Sequence, residues 1–323
     1  MLVFWPFAIV AESYTVASFA APLSRRGPGL LLRDLTRGED PQIQAIVNEI
    51  LSVQPDILVL TDFDYDLDGV AMNAFAALIG NYPYQFAARP NAGLPTGFDA
   101  DGNGRLGEAR DAQGYGEFAG DGGIAILSRF PIGDVTDLTA LLWKDMPGAV
   151  LPPMSELQRD SQRLSSTNHL IVPIELPDGA LNLLAFAATP PVFDGPEDRN
   201  GLRNRDELRL WTHVLNGAFG PSPASFVVAG NANLDPYAGN GHRDAMVQFL
   251  ADPRLQDPLP QQATAYWSSR PELGPLRVSY VLPAAEWVVM DAGVTPSIGS
   301  QHNHPMPAGP HALVWVKIRG HPS

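Results

Sequence analysis

Cysteine is missing from all 323 residues, which removes disulfides, thiolate metal sites and cysteine nucleophiles. Positive charge is scarce as well: 21 Lys and Arg stand against 35 Asp and Glu, a formal charge of −14. Phosphate backbones and anionic membrane surfaces are held by clustered Lys and Arg, so a general nucleic-acid binder is not expected; a local basic site stays open. No apolar run reaches the ~20 residues that a spanning helix needs. The start, MLVFWPFAIVA, is apolar but lacks the basic stretch of a secretory signal. Repeats, charge blocks and low-complexity linkers are also absent, so residues 1–323 are expected to form one domain.

What is present is a globular composition, 45% hydrophobic and 17% charged, with 30 Gly and 31 Pro that imply many turns and long shaped loops. Asp40-Pro41 is a helix cap followed by proline at the first helical position, and Ile43, Ile46, Val47, Ile50 and Leu51 then repeat at helical spacing until Pro55. Ile57–Leu60 reads as a buried strand. A second helix is expected from Val70 to Ile79 and a third from Arg205 to Leu215. Further strands are expected at 124–127, 170–175, 181–187, 226–229, 276–282, 287–290 and 312–318, with Pro-Asp-Gly at 177–179 turning one hairpin. Strands outnumber helices, and helices fall between strand pairs. That order predicts an α/β fold with two mostly antiparallel sheets packed face to face and helices outside, a four-layer α/β/β/α sandwich.

The motifs narrow this further. LSRRGPGLLLRDL (23–35), DPQIQAIVNEILSVQPDILVLTDFDYDLDG (40–69) and TGFDADGNGRLGEARDAQGYGEFAGDGGIAILSRFPI (96–132) come first. RLSSTNHLIVPIEL (163–176), ATPPVFDGPEDRNGLRN (188–204), VVAGNANLDP (227–236), LRVSYVLP (276–283) and PHALVWVKI (310–318) follow. In this order, over nearly the whole chain, they resemble the endonuclease/exonuclease/phosphatase superfamily, the DNase-I-like phosphoesterases, in a bacterial branch. The resemblance implies the same four-layer sandwich, with an acidic Gly-rich loop inserted at about 87–123. It also implies a divalent metal between the sheets that polarises a phosphate oxygen, with His–Asp and Asp–Asn pairs handling the attacking water and the leaving oxygen.

Several positions that this chemistry needs have changed. The Asn that ends the family's first strand falls on Ala20, which has no ligand atom. The metal-binding Glu falls on Asp62, one methylene shorter. The phosphate-facing His falls on Ala187. In the Gly-Asp-x-Asn motif, Asn231 replaces the Asp while Asn233 remains, and Arg-x-Asp-Tyr has become Arg277-Val278-Ser279-Tyr280. His311 survives. Losing one group of a cooperative site typically costs ~10²–10⁴ in rate, so the resemblance implies a pseudoenzyme, and Mg²⁺ or Mn²⁺ is not expected at its centre. The competing expectation is an active metal-dependent phosphoesterase with a rebuilt site, to which His169, Arg25, Arg26 and Asp235 would belong. For His169 and His311 a hydrogen-bonded histidine at a strand end is an equal reading.

Two acidic stretches have the oxygen-ligand spacing of calcium loops. Asp99, Asp101 and Asn103, with Gly104 for the sharp turn and the Arg105 carbonyl as a further ligand, follow D-x-D-x-N-G. The twelfth position is Arg110, so Glu108 or Asp111 would close the shell. The alternative is an Asx-rich turn held by its own hydrogen bonds. Asp64, Asp66 and Asp68 repeat the spacing directly after Asp62, as a second calcium loop or as the acidic start of the following helix.

A fold without its chemistry is kept for a surface. The sequence reading is therefore a calcium-stabilised binding or assembly subunit. A protein partner is expected through the aromatic start Phe4, Trp5 and Phe7, or through the loops at 87–123 and 145–168. Residues 1–11 are either that docking segment, with membrane contact confined to them, or a buried first strand. An extracytoplasmic or membrane-peripheral bacterial setting is favoured over the cytoplasm.

Overall fold

A computed structural model describes residues 12–299 and 302–320. In chain order the elements are β1 (Ser13–Phe19), α1 (Leu30–Arg37), α2 (Pro41–Val53), β2 (Ile57–Phe63), α3 (Val70–Ile79), β3 (Tyr84–Ala87) and β4 (Gly123–Ser128). Then follow β5 (Thr136–Asp137), α4 (Glu156–Ser161), β6 (His169–Leu176), β7 (Gly179–Ala187), α5 (Arg199–Leu215), β8 (Phe226–Asn231), α6 (Arg243–Leu250), β9 (Ser279–Pro283), β10 (Val288–Thr295) and β11 (Leu313–Arg319). The expected strand or docking segment at 1–11 lies outside the described residues.

Two mixed sheets result, one ordered β10-β11-β1-β2-β4-β3 and the other β5-β6-β7-β8-β9. Within each, one neighbouring pair is parallel, β1–β2 and β7–β8, and the remaining pairs are antiparallel. The period-2 alternation of the strands decides the layering. Tyr14, Val16, Ile57, Val59, Ile124, Ile126, Val314 and Val316 face the second sheet and share its core. Their neighbours Ala17, Phe19, Leu58, Leu60, Ala125, Leu127 and Leu313 face outward, where Leu31, Ile46 and Phe75 of α1–α3 cover them. Leu208, Trp211, Met246 and Phe249 of α5 and α6 cover the second sheet. These are the four layers expected.

Local chemistry places the helices. The Asp40 side chain accepts from the N–H groups of Gln42 (2.8 Å) and Ile43 (3.2 Å), Pro41 opens α2, and Ile43, Ile46 and Ile50 are its buried stripe. Leu51, expected on that stripe, is exposed. α5 starts at Arg199, six residues before the apolar spacing predicts. Its early buried face is polar, with Arg203, Asn204, Asp206 and Glu207 sealed beside Leu208 and Trp211. Among the described residues no helix is long and apolar enough to cross a membrane.

The long loops at 88–122 and 138–168 interlock instead of standing open. Asn91 donates to the carbonyls of Thr139 and Ser165, both at 2.7 Å, and Arg163 returns to Asn91 Oδ1 at 2.9 Å. Gln162 and Gln113 join the same seam at 2.9 Å.

Candidate functional site

Sheet register assembles the positions that the motifs single out. Ala187 ends β7 opposite Asn231, and Asn231 ends β8 opposite Ser279, the first residue of β9. The three side chains thus form one row on neighbouring strands. In the other sheet Phe19 pairs with Leu60, so Ala20 follows β1 beside the Thr61-Asp62 end of β2. β11 runs antiparallel to β1, with Val314 opposite Ser18, which brings His311 to the same end. Thr264 ties the two halves: its hydroxyl accepts from Ser279 N (3.0 Å) and its carbonyl from Ala312 N (2.9 Å).

What stands in the row is short of chemical capacity. Asn231 Oδ1 accepts from Asn233 N at 3.1 Å, and the Asn233 amide donates to the Ala188 carbonyl at 2.8 Å. Both amides therefore brace the loop after β8. Ser279 Oγ and His311 Nδ1 are buried and have no hydrogen-bond partner among the described residues. His311 packs edge-on against Trp267, ring centres 5.2 Å apart, and burial pushes its imidazole down to about 4, so it is neutral near pH 7.

Across the cleft, Asp62 adopts φ 70 and opens to solvent between walls of protein. That enclosure, with Asp121 and Asp64 nearby, pushes its carboxyl up to about 8. Gly122 makes the approach feasible, since a Cβ there would lie 2.9 Å from Asp62 Oδ1. Asp64 is driven to about 6 by burial, against hydrogen bonds from Gly122 N (3.3 Å), Ser24 and Arg25 N (2.9 Å). Asp121 accepts from the Ser24 hydroxyl and from Glu117 N (2.7 Å). The donor set differs from the family's: Ala20 offers no ligand atom, Asp62 is a shorter carboxylate, and Asp64 and Asp121 each also accept from loop donors.

His169 does not belong to this site. It is fully buried beneath β6 among Phe186 and Trp211; Ser165 Oγ meets its Nδ1 at 2.9 Å and the Glu207 carbonyl its Nε2 at 3.0 Å. Strand alternation turns it toward α5, and the hydrogen-bonded reading applies. Arg25 and Asp235 are likewise structural. Arg25 bridges Asp34 (3.1 Å) and Asp40 (3.0 Å), and Asp235 holds Arg277 N at 2.6 Å and Tyr237 N at 2.7 Å. Arg26 is exposed.

The two acidic loops part company. Asp66 caps α3, accepting from Val70 N (2.6 Å) and Ala71 N (3.1 Å), while Asp64 turns inward and Asp68 outward. Asp66 thus serves the helix start and Asp64 the loop at Arg25 and Gly122, and among the described residues the three carboxylates do not converge. Asp99, Asp101 and Asp111 do converge, each with a carboxylate oxygen within 4.8 Å of the others. Asp99 accepts from Gly102 N and Gly104 N (both 2.7 Å), and these bonds, Gly104 first, hold its carboxyl below the usual range. Asn103 Oδ1 accepts from Arg105 N at 2.8 Å, while Asp111 accepts from Ala100 N (2.8 Å) and Glu108 N (3.1 Å). Three hard oxygen donors of the kind calcium takes thus converge on one folded loop, against the roughly six to eight that fill its shell. Asp111, named as one of two closing residues, is the one that converges.

Sequence reasoning missed Arg203 and Glu207. Glu207, wholly buried, accepts from Ser166 N (2.5 Å), Ser166 Oγ (2.7 Å) and Thr189 N (2.7 Å), and burial raises its carboxyl. It pins the loop that follows Ala187. Their polar helical spacing resembled a solvated face.

With this geometry in view, the comparisons define the class. The endonuclease/exonuclease/phosphatase family model matches residues 31–302, and the chain belongs to that family. Among solved structures it is similar to an endonuclease/exonuclease/phosphatase from Beutenbergia cavernae, at 18% identity and TM-score 0.60, covering 95% of this chain and 72% of that one. Sphingomyelinase C from Streptomyces griseocarneus is similar at 15% identity and TM-score 0.54, covering 95% and 99%. A family protein from Leptotrichia buccalis has 13% identity and TM-score 0.54, with the same coverage. Such identities speak for the fold alone. A comparison with curated proteins found no match.

Proposed function

We propose that this protein is a pseudoenzyme of its family, a calcium-stabilised binding or assembly subunit. One observation carries the reading: the strand-end row holds Ala187, Asn231 and Ser279, with Ala20 across from it. Ala187 supplies no phosphate donor, Ser279 and Asn231 supply no carboxylate to orient His311 or take a proton, and Ala20 supplies no metal ligand. Purified protein should turn over an aryl phosphate, a phosphate bis-ester and plasmid DNA at background rates with Mg²⁺, Mn²⁺ or Ca²⁺. Robust turnover abolished by His311→Ala would overturn the reading.

A rebuilt phosphoesterase is the second reading, and the cleft favours it in one respect. Asp62 has its carboxyl pushed up to about 8, a group able to exchange a proton near neutral pH. Turnover that requires added Mg²⁺ or Mn²⁺ and is lost in Asp62→Asn would support it.

The partner is a protein, engaged through the aromatic segment Phe4, Trp5 and Phe7. An extracytoplasmic setting suits a loop with few calcium ligands, since millimolar calcium is available there. Deleting residues 1–11 should leave the melting temperature in place and drop the co-purifying protein. Collapse of the fold with no protein lost would assign the segment to the core.

A further inference from the structure

A cavity of about 1270 Å³ opens between the loops at 99–115 and 152–158 and the start of α5. None of Ala20, Asp62, Ala187, Asn231, Asn233, Ser279 or His311 lines it. It is large enough to enclose most of a small organic molecule. Its lining has an uneven polarity. Tyr115 and Phe193 stand at its wall largely exposed, 68% and 77%, with Met154 beside them. Arg199 and Arg203 line the cavity from α5.

Arg203 is 6% exposed, and its guanidinium is only partly spent. Nε donates to the Leu164 carbonyl (2.8 Å), and Nη2 donates to those of Gln113 (2.7 Å), Ser165 (2.9 Å) and Arg163 (3.0 Å). Nη1 has no acceptor among the described residues. Arg199 donates through Nη2 to Gln162 (2.6 Å) and through Nη1 to the Ala100 carbonyl (3.4 Å), leaving Nε without one. Arg110, at the wall, is exposed and makes no ion pair among the described residues. The acids of the lining are differently placed. Asp194 accepts from Asn200 N (2.5 Å), Glu197 from Gly195 N (3.1 Å), and Asp99 and Asp101 from the N–H groups of their own loop. Arg203 Nη1 and Arg199 Nε are therefore free donors on cations that keep their protons near pH 7. Glu197 and Asp101 are close enough to Arg199 to act as counter-charges that a ligand's head group must compete with.

We propose that this cavity binds a small organic oxyanion, its phosphate or carboxylate head on Arg199 and Arg203 and its apolar body against Tyr115 and Phe193. Planar guanidinium forks match both heads, and a partly desolvated site strengthens the charge-assisted bonds. The proposal does not rest on the loss of catalysis, because none of the strand-end side chains lines the cavity, which Thr189 and Pro190 border from the loop after Ala187.

Calorimetry with phenylphosphonate, benzoate, inorganic phosphate and benzyl alcohol tests it. The phosphonate is not a phosphoester, so a failure to bind and a failure of the pseudoenzyme reading are distinguishable. Phenylphosphonate or benzoate should bind at least tenfold tighter than benzyl alcohol, and the tighter of the two identifies the head group. Arg199→Gln should weaken that binding at least tenfold. Tyr115→Ala with Phe193→Ala should remove the advantage of the phenyl group over inorganic phosphate. Should Arg199→Gln fail to fold, Arg110→Gln, at an exposed side chain, should weaken binding severalfold. No heat from either phenyl oxyanion, or equal weakening by Arg37→Gln on the surface of α1, would overturn the proposal.

Discussion

His311 and His169 are both buried imidazoles, and their surroundings differ. His169 has a partner at each ring nitrogen, whereas His311 Nδ1 has none. Burial takes both down to about 4 from an ordinary 6.5. In the unfolded chain they protonate near 6.5, so between there and about pH 4 the unfolded state holds more protons. Stability is then intact above the upper bound and falls as pH falls through this window, by on the order of 3 kcal/mol for each histidine at full excursion. Asp62 and Glu49, both raised to about 8, work in the opposite direction, since the folded state keeps their protons longer. A difference between variants isolates the imidazole. His311→Gln should lose less stability than the wild type between pH 7 and about pH 4.5 in urea unfolding. Parallel losses would mean that His311 titrates in the fold as it does in the unfolded chain. The strand-end residues were legible because each occupies a numbered place in an ordered motif. His169 was ambiguous because Asn-His-Leu at a strand start reads the same whichever face the histidine takes.

At the scale of elements, α2 was legible through its cap and apolar stripe, and α5 was not. A helix that buries Arg203, Asn204, Asp206 and Glu207 against loop carbonyls and N–H groups has no apolar period along that stretch. The caps can be tested directly. Asp40→Ala should cost about 1–2 kcal/mol, since it removes the two N–H acceptors of α2 and half of the Arg25 bridge. Asp40→Asn should recover most of it if the cap dominates and little if the ion pair does, as read from urea midpoints. For the acidic loop, calcium should raise the melting temperature, and chelator or Asp101→Ala should reverse this. If chelation leaves melting unchanged and Asp101→Ala is silent, the loop is an Asx turn. Its convergence with Asp111 was only half legible. Spacing identifies Asp99, Asp101 and Asn103, but the closing carboxylate depends on how residues 104–110 fold back.

At the scale of the whole molecule, the two sheets were legible because alternation along the strands separates a sheet-facing from a helix-facing core. The loops at 87–123 and 145–168 were expected to frame a docking face, and how they pack on each other was not legible. Their actual packing rests on side-chain amides meeting distant carbonyls, as Asn91 does with Thr139 and Ser165, and no local pattern encodes such partners. On the pseudoenzyme reading proposed above, the four changed positions account for missing chemistry, and restoring them should bring it back. Ala20→Asn, Ala187→His, Asn231→Asp and Ser279→Asp together should give metal-dependent bis-ester hydrolysis at least tenfold above background. Each alone should stay silent, since such groups act as a unit. A folded quadruple variant that remains inert would place the divergence beyond these four positions.

The Ala100 carbonyl accepts from Gln158 of α4 (2.5 Å) and from Arg199 of α5 (3.4 Å), while the Ala100 N–H is held by Asp111. One peptide neighbourhood thus belongs both to the acidic loop proposed to hold calcium and to the cavity lining. Ordering it from either side lowers the cost of ordering it from the other, and thermodynamic reciprocity fixes the size of the exchange. Whatever factor calcium contributes to phenylphosphonate affinity, phenylphosphonate must contribute to calcium affinity. Titrating each ligand with the other present and absent should return the same ratio, greater than one.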